Sequence, residues 1–190
     1  MECHVCPYWI GYFLINPLRK YRHNPGKIMG NLVKSGMHVI DYGCAMGYFS
    51  LPMAKMVGES GRVYCFDIQN KMLNKLSQRA KKAGVDRIIE PVLIKKDTRV
   101  NHEMSGISDF ALLFAVVHEV PDKELLFKNL NTMMKMNGQL LIAEPAGHVS
   151  LKEFKESVSL AENAGFDPLY PLDIKGSHSM LLEKSRFKSV

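Results

Sequence analysis

The sequence predicts an α/β fold: a single doubly wound, mostly parallel sheet with helices on both faces. Two observations carry that expectation. From residue 37 onward, short apolar runs rich in β-branched residues alternate with longer segments of helical spacing. The runs are apolar throughout instead of alternating in and out, which suits parallel strands covered on both faces.

Taken in order, residues 37–42 and 62–68 read as buried strands, with 49–57 and 71–83 as helices, forming a βαβ unit. Residues 87–94 and 110–117 read as a third and fourth strand, and 123–136 as a helix. The Asn137-Gly138 turn leads into a fifth strand over 139–143. Residues 151–164 read as a helix with one buried face, closed by Gly165, and 179–183 as a last strand, expected to be antiparallel.

The 190 residues suffice for one well-filled domain and leave too little for two comfortable cores. The first 36 differ in character: they carry the only tryptophan, Trp9, three tyrosines and a helix-like run over 25–33. They are expected to form an amino-terminal lid or flank (1–36), and 37–190 the domain proper. No stretch approaches the roughly 18 apolar residues that span a bilayer. The start, Met1-Glu2-Cys3-His4, has no basic region of a secretory signal, and the apolar run over 8–15 is broken by Gly11 and stopped at Asn16-Pro17. The formal charge of +6 comes from scattered lysines and arginines, so nucleic acid is not the expected partner. Four cysteines do not form a dense disulfide set, and a reducing cytoplasm is the expected setting, with the chain a monomer or homodimer.

In open α/β sheets, ligands sit outside the carboxyl ends of strands, where a tight glycine turn lets backbone and a helix start come close. The run Val39-Ile40-Asp41-Tyr42-Gly43-Cys44-Ala45-Met46-Gly47 occupies that place. Its spacing, Asp-x-Gly-x-x-x-Gly, is not the Gly-x-Gly-x-x-Gly of dinucleotide binding. Gly43 would allow the sharp turn and Gly47 close packing of the next helix, while Asp41 would order the loop or accept from an ammonium. Asp67 ends the second strand, 20 positions after Gly47, where a carboxylate can accept from both hydroxyls of a ribose. Asp97 and Thr98, just past the third strand, form a polar pair suited to an adenine amino group.

In this ordered set the chain resembles the class I, Rossmann-like S-adenosylmethionine-dependent methyltransferases, over about residues 24–185. The resemblance implies a Rossmann-like methyltransferase fold with S-adenosylmethionine as cofactor. Asp41, Gly43 and Gly47 would surround its methionine part, Asp67 the ribose, and Asp97 with Thr98 the adenine, with Cys44 and Ala45 as cofactor contacts between the glycines. Ile68 counts as a further cofactor contact. The family often has another glycine where this chain has Ala45, which narrows the room for the ligand's carboxylate.

The fourth strand runs into Val116-Val117-His118-Glu119-Val120, where the resembling small-molecule and metalloid methyltransferases often carry a histidine-containing pair. His118 and Glu119 are the catalytic candidates: His118 to take a proton or orient the acceptor, Glu119 to fix its tautomer or cap the next helix. The alternative role for His118 is packing over the cofactor. A general base is needed only if the acceptor binds protonated. Glu144 and His148, after the fifth strand, are candidates to line the acceptor pocket, with Glu144 equally suited to satisfying loop amides. Tyr8, Trp9 and Tyr12 are expected to cap the acceptor, or to form a subunit or membrane-surface contact. Cys3 and Cys6 form a Cys-x-x-Cys with His4 inside it, but there is no second pair and no metal is expected. Arg19, Lys20, Tyr21, Arg22 and His23 follow, as a solvated face or a hold for an anionic acceptor.

The function these features predict is methyl transfer to a small-molecule acceptor. An RNA or protein methyltransferase is the alternative; an Asn-Pro-Pro-Tyr or Pro-Cys signature is missing at the fourth strand. A non-catalytic cofactor-binding module is the reading from a different class.

Overall fold

The structure, a computed structural model, describes Ile15, Arg19, residues 21–94 and residues 102–185. Two compact units divide the chain, Met1–Lys95 and Lys96–Val190.

The first unit begins with a short helix, α1 (Pro25–Met29), whose start is set by Asn24: its side chain accepts from the Gly26 amide at 2.9 Å, and Pro25 fills the first helical position. There follow β1 (His38–Tyr42), α2 (Ser50–Val57), β2 (Arg62–Asp67), α3 (Asn70–Ala83) and β3 (Ile89–Leu93). Strand β2 lies between β1 and β3, parallel to both, with Asp41 opposite Cys65 and Asp67 opposite Leu93. This is the predicted βαβ arrangement. Helix α3 buries Met72, Leu73, Leu76 and Ala80, one stripe at helical spacing, and stops at Gly84 in the left-handed region, φ 67°. Strand β3 is shorter than the expected 87–94 and mostly exposed; Pro91 within it lacks a backbone donor, as edge strands tolerate.

The second unit carries β4 (Ser108–Phe114), α4 (Lys123–Met133), β5 (Met134–Pro145), α5 (Leu151–Asn163), β6 (Phe166–Tyr170) and β7 (Ser177–Lys184). Its strands lie in the order β4-β5-β7-β6, with β4 and β5 parallel and β7 antiparallel to both β5 and β6. Helix α5 opens on a capping box, the Ser150 hydroxyl accepting from the Glu153 amide while the Glu153 carboxylate takes the Ser150 amide.

Three expectations needed correction here. Helix α4 ends at Met133, not 136, because Met134 is already extended and pairs with Ser108. The Asn137-Gly138 turn therefore lies inside β5 as an irregularity: Asn137 sits at φ 62°, and pairing resumes at Gln139 opposite Phe110. Strand β4 stops at Phe114, short of 117, where Ala115 takes φ 56° and the chain turns into a single 3₁₀ turn, Val117–Glu119. Strand β6 was not expected. Asp167 and the three exposed residues Pro168, Leu169 and Tyr170 mask it, as befits an edge.

Candidate active site

In the first unit, the loop after β1 is a hydrogen-bonded cradle. Gly43 and Gly47 adopt φ 74° and 80°, and between them Ala45 adopts φ 46°. The amides of Gly43 and Cys44 both donate to the Phe66 carbonyl, at 2.9 and 3.0 Å, tying the loop to the end of β2. The Gly47 amide donates to the Cys44 carbonyl at 2.9 Å, closing the turn. A Cβ on Gly47 would meet the terminal methyls of Leu76 and Leu51, which would have to shift, and at φ 80° any other residue would be strained.

Two carboxylates flank the loop. Asp41 is 3% exposed, and the Ser50 hydroxyl donates to it at 2.5 Å. Burial pushes its pKa up to about 6, helped by Asp67 nearby and opposed by the Ser50 bond and by Arg19. Asp67 is 8% exposed; one oxygen accepts from the Ala45 amide at 3.0 Å and the other from the Gln69 amide at 2.8 Å. Burial raises its pKa too, against the pull of these amides and that of Ile68. Cys44 is buried, and its thiol is held well above the ordinary value by burial and by Cys65. Ile68 is 39% exposed, unusual for its size.

In the second unit, Glu144 organises the turn after β4. It is 1% exposed near the end of β5. One oxygen accepts from the amides of Val116 and Val117 at 2.9 and 3.0 Å, and the other from the His118 amide at 3.2 Å and His118 Nδ1 at 2.5 Å. The His118 side chain remains 31% exposed, with Nε2 4.0 Å from a Glu119 oxygen. The Glu144 bond raises the imidazole pKa above its usual value, outweighing partial burial. A Nδ1–H donated to carboxylate leaves the lone pair on Nε2, the basic tautomer for a proton acceptor.

His148 is exposed, its amide donating to the Pro145 carbonyl at 2.9 Å. Asp97, Thr98, Tyr8, Trp9 and Tyr12, with Cys3 and Cys6, lie outside the described residues. Three features escaped the sequence. Ser50 on Asp41 is signalled only by its place at the start of α2. Arg79, which donates from α3 to the Met46 carbonyl within the glycine loop, has no sequence signal. Nor does the Glu144–His118 contact, made across 26 positions.

A glycine cradle after the first strand and a carboxylate ending the second fit the class of S-adenosylmethionine-dependent methyltransferases. A model of the methyltransferase domain matches residues 33–176, and the chain belongs to that family. Solved structures share the fold: a SAM-dependent methyltransferase from Aquifex aeolicus superposes with a TM-score of 0.85 at 22% identity, over 95% of this chain and 100% of that one. A putative S-adenosyl-L-methionine-dependent methyltransferase from Methanococcus maripaludis does so with a TM-score of 0.76 at 13% identity, over 96% and 92%. The expected mostly parallel sheet with an antiparallel last strand is thus the family's fold, and S-adenosylmethionine is its cofactor.

Among curated proteins, the chain is 41% identical over 63 residues to a probable cobalt-precorrin-6B C(15)-methyltransferase (decarboxylating) of Saccharolobus solfataricus, covering 33% of this chain and 31% of that one. It is 25% identical over 126 residues to the demethylmenaquinone methyltransferase of Bacillus subtilis, 66% of this chain and 52% of that one. A fibrillarin-like rRNA/tRNA 2'-O-methyltransferase of Pyrobaculum aerophilum matches at 20% over 164 residues, 81% and 68%. The chain thus spans from about a third to two thirds of these relatives' lengths. Among the described residues, no helix is long and apolar enough to cross a membrane.

Proposed function

We propose that the protein transfers the methyl group of S-adenosylmethionine to a nucleophilic atom of a small-molecule acceptor, with His118 accepting or steering the acceptor's proton. The observation that carries this reading is the imidazole of His118, tethered through Nδ1 to a buried carboxylate while its side chain stays accessible. Such a tether fixes ring orientation and tautomer, as a positioned general base requires. Glu144 acts through His118, and Glu119 adjoins Nε2.

The residues of the first unit suit the cofactor. Each Asp67 oxygen carries one of its 2.8 and 3.0 Å amide bonds and has room to accept a ribose hydroxyl. Asp41, Gly43, Cys44, Ala45 and Gly47 would take the methionine end, Ile68 would lie against the nucleoside, and Asp97 with Thr98 would meet the adenine. When bound, the cofactor supplies an electrophilic sulfonium methyl, so what remains for the chain is to orient the acceptor and exclude water. Tyr8, Trp9, Tyr12 and His148 are the residues whose side-chain chemistry suits contact with that acceptor. Two relatives named for cobalt-precorrin and demethylmenaquinone favour a small acceptor, whereas the fibrillarin-like relative is named for RNA. The free thiols Cys44 and Cys65 favour a cytoplasmic setting, and a monomer or homodimer is part of the proposal.

Methyl-labelled cofactor supplied with separate metabolite, RNA and protein fractions tests the acceptor class. Label is expected in the metabolite fraction; label confined to RNA or protein would overturn it. In His118→Ala, transfer is expected to slow by about 10²-fold with S-adenosylhomocysteine affinity nearly unchanged. Wild-type kcat/KM should rise with pH through a midpoint above 6.5, because Glu144 raises the imidazole pKa and the base must be neutral. Collapse of cofactor affinity in the variant would make His118 structural instead.

A further inference from the structure

We propose that the outer face of helix α3 docks on an anionic lipid bilayer surface through Lys71, Lys81 and Lys82, with Lys75 on its flank; this holds whichever acceptor is methylated. Charge is unevenly spread along the chain. Residues 1–95 carry 14 lysines and arginines against six carboxylates, and two of those carboxylates, Asp41 and Asp67, are buried. Residues 96–190 carry 11 against 13. Helix α3 concentrates the excess: Lys71, Lys75, Arg79, Lys81 and Lys82 stand in 14 residues that contain no carboxylate.

Helices α4 and α5 follow the ordinary rule for a solvated face. Glu124 pairs with Lys128 at 3.6 Å and Lys152 with Glu156 at 4.0 Å, each pair one turn apart. Helix α3 breaks that rule. Lys71, Lys75 and Arg79 succeed one another at four-residue intervals, where like charges oppose helix formation. Its first turn holds Lys71 and no acid, against the helix dipole. A charge pattern that costs the helix stability, with no compensation inside the helix, points to a partner that supplies the missing anions.

The shape of the face selects that partner. Met72, Leu73, Leu76 and Ala80 are buried, and Arg79 turns to the Met46 carbonyl, whereas Lys71, Asn74, Gln78, Lys81 and Lys82 are exposed on the other side. Lys71 and Lys82 stand about 16 Å apart along the helix axis. The amides of Asn74 and Gln78 lie between them as further donors to phosphate oxygens. This is a convex ridge of point charges with no aromatic side chain. The major groove of duplex RNA is too narrow for such a ridge, and single strands are held in grooves with rings that stack on the bases. A headgroup layer makes neither demand: each lysine meets its surface separately, and about four clustered cations suffice for attraction to anionic lipid. Since every leucine and methionine of the helix is buried, the contact is electrostatic and sensitive to salt.

Co-sedimentation of the full chain at low salt with phosphatidylcholine vesicles, with and without about one-third phosphatidylserine, tests the proposal. Wild type should bind the anionic vesicles at least about tenfold more tightly than the neutral ones and release them as salt rises. Replacing Lys71, Lys81 and Lys82 together by Gln should lower anionic-vesicle affinity about 10- to 100-fold. The urea midpoint of that variant should hold or rise, because like charges are removed. Replacing Lys128, Lys152 and Lys155 by Gln removes the same charge from α4 and α5 and should change vesicle affinity less than about threefold. Equal losses in the two triple variants would reduce the attraction to net charge, and undiminished binding in the α3 variant would place the contact elsewhere. Tighter binding of wild type to an oligouridylate or a short DNA duplex than to the anionic vesicles would make the face one for nucleic acid. Each of these three results overturns the inference.

Discussion

Each of the two units uses a buried carboxylate to hold the loop beyond a neighbouring strand, yet the two are loaded differently. Asp67 accepts one amide on each oxygen, at 3.0 and 2.8 Å, with the Ile68 amide also acting on it. Glu144 accepts three amides and an imidazole, at distances of 2.5 to 3.2 Å, which matches the roughly four lone-pair positions of a carboxylate. The first keeps acceptor capacity and stands beside a glycine cradle. The second is saturated by its own protein and spends its charge on orienting His118. Carboxylates equally buried can thus be a ligand's acceptor or a side chain's scaffold, and counting their donors tells which.

The largest expected effect follows from the saturated one. Glu144→Ala would leave the amides of Val116, Val117 and His118 and the imidazole Nδ1 without their acceptor. Stability should fall by about 3 to 5 kcal/mol, read as a lower urea midpoint. Asp67→Ala, which removes the acceptor of the Ala45 and Gln69 amides and the carboxylate on which Ile68 also acts, should cost clearly less. A loss under about 1 kcal/mol for Glu144→Ala would erase the contrast between the two carboxylates.

Binding should show the reverse ranking. Asp67→Ala is expected to weaken S-adenosylhomocysteine by about 1 to 3 kcal/mol, the value of charge-assisted bonds to ribose hydroxyls plus some loosening of the loop at Ala45. Glu144→Ala, where it stays folded, should leave this affinity within a few-fold. Calorimetry on both variants under conditions where each is native decides it; if Asp67→Ala binds normally, its spare acceptor capacity serves no ligand.

How much of this was legible beforehand follows the range of each interaction. The glycine turn was readable because positive φ has a residue signature, and Gly43, Gly47 and Gly84 all adopt it. Strands β1, β2 and β4 were readable as continuous apolar runs, since burial on both faces leaves no polar alternation. Strand β6 was not, because an edge bears Asp167 and Pro168 as readily as a loop does. The end of α4 was hidden by methionines at 133, 134 and 136, which suit a helix face and a strand alike. For the site, His118 and Glu144 each attracted notice, but their contact depends on how β4 and β5 align, which spacing along the chain does not encode. Arg19 and Arg79 act through long side chains whose targets are backbone carbonyls and ring faces, groups that every sequence contains.

The smallest expected effect separates the causes behind two raised pKa values. His118 is raised by a partner that stabilises its charge, whereas Asp41 is raised to about 6 by burial that penalises its charge. Both folded values exceed their unfolded ones, so both contributions to stability are full below the unfolded pKa and are lost as pH rises through the folded one. For Asp41 that loss runs from about pH 4 to above 6. The two differ in their response to the cofactor. An ammonium or sulfonium near Asp41 favours its ionised form, pulls its pKa down and so couples binding to proton release. Cofactor affinity should therefore tighten about tenfold between about pH 5 and pH 7, with proton release seen as buffer-dependent enthalpy. Asp41→Asn should flatten that profile, and Glu144→Gln should not. An affinity that stays level or weakens over this range in wild type would mean that Asp41 meets no cation, leaving it the part of a loop anchor held by Ser50.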